Sequence, residues 1–205
     1  MNLEAYTEDH ILEDLKKLQY LYGLKRTIRY NQERHSEDAT ESVVEHVYGM
    51  HLLAQHFLLF EDPEKNLDHS RIFEMITLHD LDEIETGDVL GYTKSEAQRA
   101  EEVNAMMRVV LGAPPHMQQH MKERVEEYEA KESLEARFAR AIDKVEPIVH
   151  IYHEEVRKVL MVNMTTAEQS LRIKTPYVAD FPFIKKFCEV THTHLEREGY
   201  FWTEE

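Results

Sequence analysis

An all-α, single-domain fold is predicted for this chain of 205 residues by three observations. Only six glycines and six prolines interrupt it, so long segments run without a breaker. Those segments are rich in Leu, Glu, Lys, Ala, Met and Gln, which enter helices at little cost. Apolar residues recur three and four apart, the spacing that places them on one face of a helix. With 42% apolar content the chain can bury one sizeable core, and residues 1–205 are taken as a single domain.

The elements follow in order. Ile11, Leu12, Leu15, Leu18 and Tyr22 recur at helical spacing after a Thr7 cap, with Gly23 near the end, and predict a helix over about residues 8–23. Residues 24–39 show no clear apolar period and gather Lys25, Arg26, Arg29 and Arg34, so they predict a loop of local positive charge. It serves either as a solvated connector or as an anion-binding lip, a role for which the guanidinium fork suits phosphate oxygens. Ser42 with Glu45 forms a capping box for a second helix, in which Val43, Val47, Met50, Ala54 and Phe57 make the apolar stripe up to Asp62-Pro63. A third helix runs from about Ser70 through Ile72, Phe73 and Ile76 into His79-Asp80, and a tight turn ends at Gly87. After a Gly91-Tyr92 turn, Ser95 caps a helix with Ala97, Ala100, Val103, Met107 and Val110, broken at Gly112. Pro114-Pro115 starts the next, to about Ala130. Leu134, Phe138, Ala141, Ile142, Val145, Ile148 and Val149 mark a long helix beyond it, and a last one is expected near 183–199.

Charge excludes some functions. Forty acids against 24 Lys and Arg give a net charge of −16, which argues against binding a nucleic-acid polymer, since phosphate backbones are met by clustered basic residues. The single cysteine, Cys188, excludes an intrachain disulfide and a cysteine-based zinc cluster. Any metal is therefore held by His and carboxylate. Asn2, Glu4, Glu8 and Asp9 are unlike the start of a signal peptide, and no apolar run approaches a bilayer span. No membrane association and a cytoplasmic location are expected.

Three places carry chemistry-bearing residues. His46 lies beside the stripe of the second helix, either as a core-edge histidine or as a ligand. His79 and Asp80 are adjacent, so they cannot share a helical face by the three-or-four rule; to hold one ion they must straddle it from a helix end or a local distortion. Asp143 falls between apolar residues of a long helix, where an acid needs a partner, either a salt bridge or a metal. His51 and His56, off or at the margin of the stripe, are taken as core-edge histidines rather than ligands, His150 and His153 are assigned to the surface, and His192 and His194, flanking Thr193, would point apart.

Taken together, His46, His79-Asp80 and Asp143 give the order H…HD…D in an all-helical chain. This resembles the HD-domain metal-dependent phosphohydrolase superfamily. Glu41-Ser-Val-Val-Glu-His46 is similar to the run E-[NS]-V-[SA]-[ED]-H around the first histidine of its small 5′-deoxynucleotidase-like branch. His79-Asp80-x-x-Glu83-x-x-x-Gly87-Asp88 is similar to H-D-x-x-E-x-x-x-G-D, and Ala141-Ile142-Asp143-Lys144 to the final apolar-D-K/A motif. The resemblance covers about residues 10–160. It implies a single-domain HD helical bundle in which His46, His79, Asp80 and Asp143 ligate one divalent ion, Mn or Co or a relative such as Fe, Ni, Zn or Mg. It makes Glu83 and Asp88 the catalytic or supporting acids, and Lys94 the lysine beyond the G-D pair. Related enzymes carry an Arg followed by an aromatic residue, often Trp, that contact phosphate and base; Arg29-Tyr30 is the nearest equivalent here, with Arg26 and Arg34 in the same segment. The implied activity is phosphate release from a small phosphorylated substrate, a (deoxy)nucleoside 5′-monophosphate first. Alternatives are another phosphorylated metabolite, a cyclic or diphosphate nucleotide, or a catalytically silent metal-binding module. A homodimer is compatible with this assignment.

Overall fold

The computed structural model describes residues 7–34, 40–89, 94–153, 156, 160–161 and 163–203. The expected Gly91-Tyr92 turn, residues 35–39 of the basic segment and Glu154-Glu155 lie outside them. Helix α1 (Glu8–Leu21) leads through two 3-10 turns, Tyr22–Arg26 and Arg29–Asn31, to α2 (Val43–Glu61) and α3 (His69–Leu78). A single turn, α4 (Glu83–Thr86), precedes α5 (Glu96–Gly112), α6 (Pro115–Ala130), α7 (Leu134–His150), α8 (Ala167–Val178) and α9 (Pro182–Arg197). The all-α expectation holds.

Local chemistry sets the ends. The Ser42 hydroxyl accepts from the Glu45 amide at 3.3 Å, and the Glu45 carboxylate accepts from the Ser42 amide at 2.6 Å, which closes the capping box that starts α2. Ser95 with Gln98 does the same for α5. Helix α7 is the centre of the bundle, with α2, α3, α6, α8 and α9 packed on it. Its Phe138, Ile142 and Val145 join Met50 and Phe57 of α2 and Ile72 and Ile76 of α3 in one core. Leu24, Val43, Leu78, Leu81, Met106, Val109 and Met121 form a second. Each such side chain contributes roughly 1.5–3 kcal/mol on burial. On α2 the first core takes Met50 and the second Val43, so His46 between them sits where the two cores meet.

Three expectations change. The segment expected as a loop over 24–39 is structured in part: its two 3-10 turns are joined to the start of α2 by an isolated bridge between Ile28 and Ser42. Helix α8 was unforeseen, because Pro176 counts against a helix. Its signal is the Thr166 and Gln169 capping box, and Pro176 falls so near the C-terminal end that its missing amide takes a bond from the Arg172 carbonyl without breaking the turns before it. The apolar stripes of α1 and α5 face outward. Ile11, Leu12, Leu15, Leu18 and Tyr22 are exposed, as are Ala97, Ala100, Val103 and Met107, while α5 buries Ala105, Met106 and Val109 together with Val110, the one residue of its expected stripe that turns inward.

His192 is buried and structural. Its Nδ1–H donates to the Cys188 carbonyl at 2.7 Å, and its Nε2 lies 3.0 Å from the Ser170 hydroxyl. Burial holds it neutral and pushes its pKa down to about 4 from 6.5. A base whose pKa is lowered by folding binds protons better when unfolded, so this stability is complete above about pH 6.5 and lost as pH falls toward 4, to the extent of about 3 kcal/mol. In urea unfolding, His192→Gln is expected to be weaker than wild type at pH 7 but to lose less stability between pH 7 and about 4.5; identical losses would show that His192 does not carry the term.

Candidate metal centre

The sequence brings His79 and Asp80 to one point by ending a helix between them and their surroundings. His79 is the C-cap of α3, and the chain then tightens, with the Leu81 amide on the Leu78 carbonyl and the Glu83 amide on that of Asp80. In this tighter turn Asp80 Oδ2 comes 3.0 Å from His79 Nε2 and 4.0 Å from His46 Nε2. Asp143, on the face of α7 bounded by the buried Ile142 and Val145, places Oδ1 3.4 Å from His46 Nε2. The ladder of α7 has a gap at this residue, because Pro147 has no N–H to offer the Asp143 carbonyl. His46, His79, Asp80 and Asp143, distant in sequence, thus converge.

Both imidazoles are oriented from behind. His79 Nδ1 donates to the Ile76 carbonyl at 2.9 Å, and Glu146 Oε2 lies 2.7 Å from His46 Nδ1 and accepts its proton. With Nδ1 the donor in each ring, Nε2 carries a lone pair. These two Nε2 atoms are buried without a hydrogen-bond partner, a costly arrangement for polar atoms unless something binds there. The atoms of His46, His79 and Asp143 lie within 4.8 Å of one another. Around a first-row ion, with bonds of about 2.1 Å, neighbouring donors sit about 3 Å apart and opposite ones about 4 Å, which is the range found here. The donor set of two neutral imidazoles and two carboxylates fits such an ion.

Charge at the centre agrees. Burial would raise Asp143, but Lys144, whose Nζ donates to Oδ2 at 2.7 Å, and the two imidazoles hold its carboxyl well below the usual range. Asp80 is also lowered: burial opposes its ionisation, and His79 outweighs burial. Burial and Arg29 oppose protonation of His46, yet Asp143 and Glu146 lift it to about 9, so a proton here takes the place that a cation would fill. Glu83, buried with Oε2 unpartnered, is pushed to about 11 by burial and by Asp80, Asp88 and Asp82. Asp82 rises to about 7 by burial and the nearby Asp80 and Glu102.

The basic segment reaches the centre through Arg29, which is tied up by acids. Its Nη1 donates to Glu41 at 2.8 Å and to Glu146 at 3.2 Å, and its Nε to Asp88 at 3.3 Å. Gly87, at φ 68°, lets the chain turn so that Asp88 meets both Arg29 and the Tyr30 amide, the latter at 2.9 Å. Tyr30 itself has φ 63°, a strained value for a residue with a side chain, and its ring lies under the Arg29 guanidinium, 4.8 Å away. Three fixed carboxylates thus compensate the charge of Arg29, the residue expected to contact phosphate. Lys94 pairs with Glu102 at 2.5 Å, and Asp82 and Glu83 add to the field that keeps it charged. Arg34 bonds Glu45 and the Thr40 carbonyl. Sequence reasoning missed Glu146 and Glu41. The signal for Glu146 is its place three residues after Asp143 on the same face of α7. It missed Gly49 too: a Cβ there would come 2.9 Å from Glu146 Oε1, so the glycine three residues after His46 makes room for the carboxylate that orients it. His150, assigned to the surface, lies 3.5 Å from Glu41 and is largely buried.

The chain is similar to proteins already described. The human 5′-deoxynucleotidase HDDC2 is 30% identical over 138 residues, 66% of this chain and 65% of that protein. The 5′-deoxynucleotidase hdd1 of Schizosaccharomyces pombe is 30% identical over 145 residues, 67% of this chain and 70% of its own length. The match to the human protein thus spans slightly less than two thirds of that relative. In structure, the chain is similar to a predicted metal-dependent phosphohydrolase from Magnetospirillum magnetotacticum MS-1, with TM-score 0.79 at 21% identity over 96% of this chain and 100% of the other, a likeness of fold. Among the described residues no helix is long and apolar enough to cross a membrane. The profile of the HD domain family matches residues 21–185, the span that contains both histidines and both aspartates of the centre, and the chain belongs to that family.

Proposed function

We propose that the protein is a divalent-metal-dependent phosphomonoesterase acting on deoxynucleoside 5′-monophosphates. The observation that carries this is the pair of buried, unpartnered Nε2 atoms of His46 and His79 facing the carboxylates of Asp80 and Asp143. The names of the relatives supply the substrate class. When bound, the ion, Mn or Co or a related metal, would polarise a phosphoryl oxygen and lower the pKa of bound water. His46, His79, Asp80 and Asp143 would hold it. Glu83, buried and with one oxygen unpartnered, would take or give a proton at the attacking or leaving oxygen. Asp88 holds Arg29 and the Tyr30 backbone, fixing the basic turn against the centre. Tyr30 and Lys94 would serve substrate binding, with Lys94, paired to Glu102, adding positive charge near Asp82 and Glu83. Arg29 contributes field to an incoming phosphate while orienting Glu146 and Asp88.

Phosphate release from a panel of deoxynucleoside and ribonucleoside 5′-monophosphates, sugar phosphates, and cyclic and diphosphate nucleotides tests this in metal-loaded protein. Deoxynucleoside monophosphates are expected to be cleaved best. Glu83→Gln is expected to keep the metal while turnover falls by roughly 10²–10⁴-fold, the usual contribution of an acid–base group. Metal loss in that variant would make Glu83 a ligand, and no release from any substrate would favour a silent metal-binding module.

A further inference from the structure

Helix α8 carries a lysine that the centre described above leaves unused. Ser170, Lys174 and Tyr177 stand four and three residues apart, on one face of α8, and α8 packs on α7. The Tyr177 ring lies 5.5 Å from Lys144 Nζ, and the same Nζ donates to Asp143 Oδ2 at 2.7 Å, so this face comes up beside the proposed ligand set. Lys174, one turn before Tyr177, is within reach of the charges of Lys144 and Asp143. Its own Nζ donates to the Ser170 hydroxyl at 3.0 Å. A chain of neutral groups directs that bond. The His192 Nδ1–H is spent on the Cys188 carbonyl, so Nε2 accepts the Ser170 proton at 3.0 Å, and the Ser170 oxygen is left to accept from the lysine. Ser170 and His192 are both buried, which anchors the ammonium in place.

Among the described residues Lys174 has no carboxylate partner. Other cations around the centre do: Arg29 has three, Lys94 has Glu102, Lys144 has Asp143 and Arg34 has Glu45. An ammonium that is half-buried and lacks a counter-charge is costly, and burial, helped by Lys144, pushes its pKa down to about 8. We propose that Lys174 binds the phosphoryl group of the substrate, through the two N–H bonds that it does not give to Ser170. The assignment rests on the phosphomonoesterase reading above. In a chain with 40 acids against 24 Lys and Arg, an incoming dianion needs a cation that no protein carboxylate already compensates, and Lys174 is such a cation beside Asp143. Binding and stability then pull in opposite directions at this position, because the unpaired ammonium burdens the free protein and is relieved by the anion.

Isothermal titration of inorganic phosphate into the Mn²⁺-loaded full chain tests the proposal without requiring turnover. Lys174→Met, which keeps the apolar stem and removes the charge, is expected to bind phosphate roughly 10–100-fold more weakly, the range of a hydrogen bond to a charged group. Its metal content is expected to match wild type and its melting temperature to hold or rise. Lys174→Arg keeps the charge and is expected to recover most of the affinity. Lys185→Met, the same loss of charge at an exposed position of α9, is expected to bind phosphate as wild type does. Equal phosphate affinity in Lys174→Met and wild type overturns the proposal, and cleavage of deoxynucleoside monophosphates by that variant leaves the activity standing. Weakened phosphate binding in Lys174→Met, in a protein that releases phosphate from no substrate, supports the anion site and defeats the phosphomonoesterase reading instead. Affinity and melting temperature that fall together in both Lys174→Met and Lys174→Arg make the lysine a packing element and overturn the proposal as well.

Discussion

Asp143→Ala is expected to strip the protein of its divalent ion and to reduce phosphate release by more than the roughly 10–100-fold that losing an outer supporting group costs. Three effects coincide at this residue. Its Oδ1 faces His46 Nε2 at 3.4 Å, its Oδ2 accepts from Lys144 at 2.7 Å, and it stands on the central helix, against which α2, α3, α6, α8 and α9 pack. Removing the carboxylate leaves Lys144 without its 2.7 Å partner and places its positive charge beside two imidazoles, a field that opposes a cation. Asp143→Asn keeps the shape but not the charge and is expected to recover little. Metal analysis by mass spectrometry, read with phosphate release, checks both. His56→Ala, an exposed histidine on α2, is the control and is expected to retain metal and turnover.

Glu146→Ala is expected to lower metal affinity by roughly 10–100-fold, the usual cost of losing the group that orients a ligating histidine. The loss also frees Arg29 from one of its three carboxylates, next to the same ring. Gly49→Ala is the subtler companion. Alanine is worth about 1 kcal/mol over glycine inside a helix, which favours the variant's stability, yet its Cβ would press on Glu146 Oε1 from 2.9 Å. Metal affinity is therefore expected to fall while the melting temperature of the metal-free protein holds or rises. Isothermal titration with Mn²⁺ alongside thermal unfolding separates the two. A fall in both together would mean that the glycine serves packing rather than the orientation of His46.

The residues differ in how far the sequence disclosed them. His46, His79, Asp80 and Asp143 were legible because their order and spacing form a pattern, and the helix end at His79 resolves the difficulty of two adjacent ligand types on one face. Glu146 and Gly49 were not legible. Their roles lie in which atom of His46 they serve, and periodicity does not show which way a ring nitrogen points. Arg29 was picked out because Arg29-Tyr30 is the nearest equivalent of the Arg-aromatic pair of related enzymes, but its three acids come from positions 41, 88 and 146, and no local window contains that set. The helices were largely visible from caps and apolar spacing. What spacing could not show for α1 and α5 was which side of the helix meets the bundle, since an apolar edge has the same period whether it faces a core or a partner. Helix α8 was hidden by Pro176, whose effect depends on its position within the helix.

The central claim is that His46, His79, Asp80 and Asp143 hold one divalent ion through the free Nε2 atoms. Anomalous diffraction from crystals grown with Mn²⁺ or Co²⁺ addresses it most directly. The expected result is one strong peak within bonding distance of His46 Nε2, His79 Nε2 and a carboxylate oxygen each from Asp80 and Asp143. A second cluster, Glu41, His46 and Glu146, also has its donor atoms within 4.8 Å, but the Arg29 guanidinium already lies among them. A peak there, on the Nδ1 side of His46, or no peak at any of these residues in fully metal-exchanged crystals, would contradict the account.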